Sequence, residues 1–379
     1  MKKGLYALAL GTFTLGMAEF IIEGILTDVS HDMNVSIPQV GHLISIYALG
    51  VCAGAFSLIL MHKYRPKSIL MFLASLITIG AAIASVAPSF GLLLCARFIQ
   101  GLPHGAFFGT GAIVAVKIAQ KGKGTSAVAM MCAGMPFANL IGVPFGTFLS
   151  HNISWRVPFF VSIFLGLLTL YMIYRWVPNV EALPNNGMKA QFRFLRNKAP
   201  WLIIAATFFG SAGMLSWFSY ISPLLQTEGG FSAASISLLM VLAGLGMVIG
   251  NLTSGPLSDR FKPGRVTSGY LTFAAIALLL TFFLASCDWA VATLMFTICI
   301  SLFGVGSPEQ YLIVKHSEGG EMLGGCCIQA AFNSGNALGA LLGGIPVSLG
   351  LGFNYPALIG TPLVLMGAIC LWIFHRQYE

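Results

Sequence analysis

Apolar runs of about 20 residues recur along the whole chain, separated by short polar breaks. A helix of that length crosses the roughly 30 Å hydrocarbon layer of a bilayer with its backbone hydrogen bonds closed internally, as lipid requires. The runs lie near 5–28, 39–61, 67–87, 90–115, 125–149, 156–178, 200–226, 234–257, 266–286, 289–313, 322–348 and 354–374. They predict an all-α integral membrane protein with twelve transmembrane helices. The first run follows two lysines, as a signal peptide does. It continues past Glu19 without a clear small-residue cleavage site, so this helix is expected to stay in the mature protein.

The only long polar stretch, residues 179–199, reads NVEALPNNGMKAQFRFLRNKA. It predicts a six-helix bundle over 1–178, a linker over 179–199 and a second six-helix bundle over 200–379. The fifth helix carries small residues at Gly134, Ala138, Gly142 and Gly146, and the eleventh repeats the spacing at Gly335, Gly339 and Gly343. Small residues four apart let backbones approach closely in lipid, and the shared fifth place in each half suggests a duplication.

Composition agrees with the pattern, since 57% of residues are hydrophobic and only 8% charged, far from a chain that folds in water. The net charge of +8 would suit an acidic partner, but its distribution argues otherwise. Lys2, Lys3, Lys63, Arg65, Lys67, Lys117, Lys121, Lys123, the basic residues from Arg175 to Lys198, Arg260, Lys262, Arg265, Lys315 and Arg376 fall on one side. The other side has Asp28, Asp32, Glu228 and Asp288, with Arg156 its only basic residue. The positive-inside rule then places both termini in the cytoplasm, and nucleic acid is not needed to explain the charge. The eight cysteines show no metal or redox spacing, and no metal or other cofactor is expected.

No G-x-x-x-x-G-K-[ST] segment is present, which argues against ATP hydrolysis within the chain, and no H-E-x-x-H points to a membrane enzyme. Any coupling to an ion gradient must use ionisable groups inside the bilayer, which are costly there and functional by default. Glu19 is about 4 to 5 Å outward of the midplane of its helix, and Arg97 on the fourth helix about 6 Å to the same side. They can therefore meet. Glu23 lies one turn beyond Glu19 on the same face. Gln100 and His104 follow Arg97 on a similar face, and a histidine titrates near neutrality. Glu19, Glu23, Arg97 and His104 are the candidate proton-coupling residues. The competing readings are a static Glu19–Arg97 pair and a neutral, hydrogen-bonded imidazole at His104. Glu309, near the inner end of the tenth helix, is expected to contact headgroups or a cytoplasmic gate.

Polar but uncharged groups suited to a sugar or an amphipathic drug are Gln100, Asn139, Gln329, Asn333 and Asn336. Among the seventh helix's aromatics, Trp217 and Tyr220 are the candidates. Helix packing is the alternative for each.

Several short motifs resemble those of the major facilitator superfamily. GPLSDRFKPGR at 255–265 is similar to its G-x-x-x-D-R loop, RFIQGLPHGAFFG at 97–109 to its R-x-x-Q-G helix, and GVPFGTFL at 142–149 to the motif of its exporting, proton-antiporting branch. The equivalent loop after the second helix, MHKYRPKS, lacks the aspartate. With AEF, SWR and AFNSGNALGALLGG, the likeness spans nearly the whole chain and is closest to bacterial drug or sugar efflux permeases of the arabinose-inducible type. It implies two pseudosymmetric six-helix bundles, a central cavity, alternating access, a monomer in the inner membrane, and a cytoplasmic gate at Asp259, Arg260 and Arg265. Proton-coupled efflux of a small molecule is the leading expectation, with a sugar facilitator or proton symporter as the alternative.

Overall fold

The computed structural model describes residues 2–61, 63–181 and 191–379; the side chains of 2, 23, 37, 38, 55–60, 233 and 234 are not among those described. Residues 182–190 of the expected linker therefore lie outside the described residues. The described residues form helices and no strand. In chain order the helices are α1 (Lys2–Met33), α2 (Ile37–Met61), α3 (Pro66–Ser85), α4 (Phe90–Ile118), α5 (Gly124–Asn152) and α6 (Val157–Trp176). They continue as α7 (Lys198–Thr227), α8 (Ala233–Phe261), α9 (Pro263–Leu284), α10 (Asp288–His316), α11 (Glu321–Ser348) and α12 (Tyr355–Tyr378).

Local chemistry sets many of the ends. Pro66, Pro158, Pro263 and Pro356 stand in first turns, where a missing N–H costs nothing. Ser89 and Ser232 accept the backbone N–H of Leu92 and Ser235 as N-caps. Among the described residues, ten helices are long and apolar enough to cross a membrane. The described part of α2 adds a shorter apolar stretch, Gln39–Gly54, and α11 is diluted by Gln329, Asn333, Ser334 and Asn336.

The chain divides into two compact units, Met1–Phe194 with Ser317–Cys327, and Leu195–His316 with Ile328–Glu379. The boundary thus falls within α11, whose start packs on the first unit. There a methyl group at Gly109 would come within 2.7 Å of the Met322 carbonyl oxygen.

Inside the first unit the small-residue ladder of α5 faces α1. A methyl group at Gly134 would meet the Ala9 carbonyl oxygen at 2.1 Å, one at Gly142 the Met17 sulfur at 2.3 Å, and one at Gly146 Ile21 at 2.4 Å. Gly16 of α1 packs in turn on Ala138. In the second unit the ladder of α11 faces α7 in the same way, with Gly339 against the Ala212 carbonyl (2.2 Å) and Gly343 against that of Ser216 (2.4 Å). A second contact repeats as well. Gly50 and Gly54 of α2 press on the Phe98 and Leu102 carbonyls of α4, and Gly246 and Gly250 of α8 press on the Phe296 and Ile300 carbonyls of α10. The two units are built on one plan.

Among the described residues four helices depart from α geometry, one of them α7, which turns at Ser219 and Tyr220 shortly before Pro223. The α4 backbone breaks at Leu102, before Pro103, and α10 breaks at Val305, shortly before Pro308. Each proline lacks the N–H that would close the helical ladder. Between Pro136 and Pro144, α5 widens to a π-turn over Ala138–Gly142.

Candidate functional site

The close crossing of α2 and α4 sets up the first cluster. A methyl group at Gly101 would sit 2.2 Å from the Tyr47 carbonyl oxygen, so only glycine lets the helices come near enough for Tyr47 to reach Arg97 and His104. Arg97 is fully buried. Its guanidinium donates to the main-chain carbonyls of Ala18, Glu19 (3.4 Å) and Leu43 (3.4 Å) and to Gln100 Oε1 (3.0 Å). It also lies 4.5 Å from the centre of the Tyr47 ring, a favourable place for a cation out of water. Tyr47 Oη and His104 Nδ1 are 2.9 Å apart. The His104 imidazole stacks on Phe108 at 5.3 Å, and its Nδ1 stands 3.8 Å from Glu19 Oε2. The Glu19 side chain remains 18% exposed while His104 is enclosed.

Glu19, Arg97, Gln100 and His104 are thus brought together, with one difference from the expectation. Arg97 is anchored to α1 through main-chain carbonyls, and the Glu19 carboxylate faces the imidazole. Gln100, expected to meet substrate, is fully buried and serves as an acceptor for Arg97. The Glu23 side chain lies outside the described residues. Tyr47 had no signal of its own in the sequence, because its link to α4 depends on a crossing that only the glycines hint at.

The second unit holds a cluster that the sequence did not bring together. Glu309 was expected near headgroups or a gate; it is 1% exposed, with Oε2 at 2.9 Å from Thr207 Oγ1 on α7. Its neighbours on α10 are also engaged: Ser307 donates to Asn251 on α8 (2.6 Å), and Gln310 accepts from Gln329 on α11 (3.4 Å). Asn333 donates to the Gln329 carbonyl (2.8 Å) and is half-buried, as is Asn336, whose Oδ1 has no hydrogen-bond partner. Asn139 sits half-buried in the π-turn of α5. Trp217 does not reach an accessible surface here, being fully buried with no acceptor for its Nε1. Tyr220 donates to the Ala340 carbonyl (3.0 Å), which ties α7 to α11. Both aromatics therefore act as helix packing in this conformation.

At the α8–α9 turn Asp259 is half-buried and Arg260 and Arg265 are exposed, with the Arg260 guanidinium 4.9 Å from the Phe261 ring. The turn is fastened by a residue that sequence reasoning missed. The Glu379 side chain accepts from Gly264 N (3.0 Å) at the start of α9, its main-chain oxygen accepts from Lys262, and His375 Nδ1 lies 3.0 Å from its carboxylate. An anion at a helix N-terminus is well placed, but a contact across 115 residues leaves no local trace.

At the far end of α1, Asp32 accepts from Trp155 Nε1 (2.8 Å) and Arg156 (2.7 Å), and Arg156 also donates to the Ala87 carbonyl. The hydrogen bonds from Trp155 and then Arg156 hold the Asp32 carboxyl below the usual range. Among the described residues no group of three or more His, Cys, Asp or Glu side chains is placed to hold a metal ion.

Residues 8–324 match the family profile described as Major Facilitator Superfamily. The chain is 44% identical over 377 residues to the Escherichia coli K12 protein described as "Putative transporter AraJ", covering 99% of this chain and 96% of that one. It is 34% identical to "Inner membrane transport protein YdhP" of the same organism, covering 98% and 95%. Among solved structures, the E. coli fucose:proton symporter FucP superposes with a TM-score of 0.76 over 98% of each chain at 16% identity, a likeness of fold.

Proposed function

The chain belongs to the Major Facilitator Superfamily, whose members are membrane transporters and not enzymes, and we propose that within it this protein exports a small molecule in exchange for protons. The observation that carries the reading is the position of Glu19. It is a partly accessible carboxyl, set inside a membrane-spanning helix, against a buried imidazole and a guanidinium that is satisfied by main-chain carbonyls. Burial favours the neutral acid and the nearby cation favours the carboxylate. A change in hydration during alternating access then suffices to load or release a proton. Tyr47 and His104 form the next step inward from it.

Export rather than uptake is supported by the GVPFG segment of α5, similar to the antiporter motif, which begins at Gly142, where the π-turn carrying Asn139 ends. Residues 1–178 and 200–379 act as the two moving halves, with Asn139 in one and Gln329, Asn333 and Asn336 in the other as substrate contacts. Both termini are cytoplasmic on the charge distribution, Asp259, Arg260 and Arg265 belong to a cytoplasmic gate, and the protein works as a monomer in the inner membrane.

The test is uptake into inverted membrane vesicles of a panel of labelled pentoses, hexoses and lipophilic cations, with and without an imposed pH gradient. Accumulation of one class driven by an acidic lumen supports the reading. Uphill movement only when the external medium is acidic identifies a symporter instead and overturns it.

A further inference from the structure

The second unit buries a carboxyl that this account does not use. Glu309 is enclosed by protein, with Oε2 at 2.9 Å from Thr207 Oγ1 and no hydrogen-bond partner for Oε1. A carboxylate stripped of water and met by a single neutral hydroxyl is among the least favourable arrangements an interior can contain.

Counting hydrogens points the same way. Thr207 Oγ1 also lies 3.1 Å from the Ile203 carbonyl oxygen one turn back on α7, the usual partner of a threonine hydroxyl within a helix. A hydroxyl has one hydrogen and two lone pairs. If that hydrogen goes to Ile203, the Thr207–Glu309 contact needs a hydrogen from Glu309. A proton on Oε2 satisfies both contacts at once, whereas an ionised Glu309 leaves two acceptors competing for one hydrogen.

Among the described residues no cation pairs with Glu309. α7, α8 and α9 pack against this half of α10, with α11 reaching it through Gln329 and α12 through Phe374 and Tyr378, whose rings meet His316. Their ionisable groups are Lys198 and Tyr220 on α7, Asp259 and Arg260 on α8, Arg265 and Tyr270 on α9, and Tyr355, Cys370, His375, Arg376 and Tyr378 on α12 with Glu379 after it; α10 itself carries Asp288, Cys299, Tyr311, Lys315 and His316. Among the described residues none of these makes an ion pair or hydrogen bond with Glu309, whose polar partner is Thr207. The part of α11 beyond Cys327 carries no ionisable side chain.

The surroundings give the proton something to act on. Just past the α10 break, Ser307, Glu309 and Gln310 fasten to α8, α7 and α11 in turn. We propose that Glu309 is a second proton-binding carboxyl of the transport cycle, held here as the neutral acid with its Oε2 hydrogen directed to Thr207 Oγ1. Its release breaks the O–H bond heterolytically, the electron pair staying on the carboxylate and the proton passing to water admitted at the α10 break. The Thr207 contact then weakens while the other two persist. The place of this step in a cycle rests on the proton-coupled reading above; the protonation state itself does not.

Infrared difference spectroscopy of the purified transporter at neutral pH tests it. Glu309→Gln is expected to remove a protonated-carboxyl C=O band, and Thr207→Val to shift that band without removing it. Glu19→Gln should leave it in place, so failure of the Glu19 assignment and failure of this one read differently. If Glu309→Gln does not fold, the Thr207→Val shift decides alone. A wild-type spectrum in which neither substitution changes the protonated-carboxyl region overturns the proposal.

Discussion

The Arg97 guanidinium lies 4.5 Å from the centre of the Tyr47 ring and gives its hydrogen bonds to α1 and α2 carbonyls and to Gln100. Arg97 therefore ties the first, second and fourth helices together through groups that no change of pH titrates. Tyr47→Phe keeps the ring beneath the cation and removes only the contact to His104, so it is expected to lower stability by about 0.5–1.5 kcal/mol. Tyr47→Ala also opens a cavity and should cost about 3–5 kcal/mol. Thermal unfolding of the two variants in detergent should show the smaller loss for phenylalanine; equal losses would mean that the ring does not support Arg97.

The helix crossings make a graded prediction. A side chain at Gly142, Gly339 or Gly250 would run into Met17, the Ala212 carbonyl or the Ile300 carbonyl, and Gly→Val at any of them should cost at least about 1–3 kcal/mol. Gly269 on α9 meets nothing within 4 Å, and Gly269→Ala should be neutral or stabilise by about 0.4–1 kcal/mol. Melting temperatures of the four variants check the ranking, and a destabilised Gly269→Ala would contradict it.

These crossings also show what the sequence made legible. The four-residue spacing of small residues identified the faces of α5 and α11, and it was the partner helices, α1 and α7, that only the fold supplied. Glu19, Arg97 and His104 were found because an ionisable group in an apolar run has few innocent explanations. The partner of Glu309 was not legible because counting residues from a helix end gives depth and not direction, and its side chain turns inward to Thr207. Gln100 and Trp217 failed as accessible surface for a related reason. Amides and aromatics serve packing and recognition alike, and a single sequence does not say which neighbour satisfies them.

The Asp32 cluster predicts a pH effect at the exposed end of α1. Asp32 has its folded-state pKa depressed by Trp155 and Arg156, so the contribution is present above the ordinary aspartate value of about 3.9. It is lost as pH falls through the lower folded value. With the Asp32 side chain 48% exposed, screening limits the effect to about 1 kcal/mol or less. Asp32→Asn should therefore melt slightly below wild type at neutral pH and together with it in strong acid; a gap that widens on acidification would refute the sign.

The gate assignment is open to a direct check at the α8–α9 turn. Asp259→Asn removes one charge from a half-buried position while leaving the Glu379 contacts to Gly264 and Lys262 intact. The expected result is a normally folded protein with a shifted balance of inward and outward states, read by labelling of single cysteines introduced at the two membrane faces. Unchanged labelling together with unchanged transport would remove Asp259 from the gate.

The central claim is that Glu19 carries the coupled proton. Arg97 keeps its hydrogen bonds to carbonyls and Gln100 when Glu19 is neutralised, so Glu19→Gln should still fold, at a cost of about 1–3 kcal/mol for the charge lost beside a buried guanidinium. The decisive measurement is transport by purified Glu19→Gln in proteoliposomes, under an imposed pH gradient and, separately, as substrate exchange without one. Exchange is expected to persist while gradient-driven accumulation is abolished; accumulation at the wild-type level by a well-folded Glu19→Gln protein would contradict the assignment of Glu19 as the proton carrier.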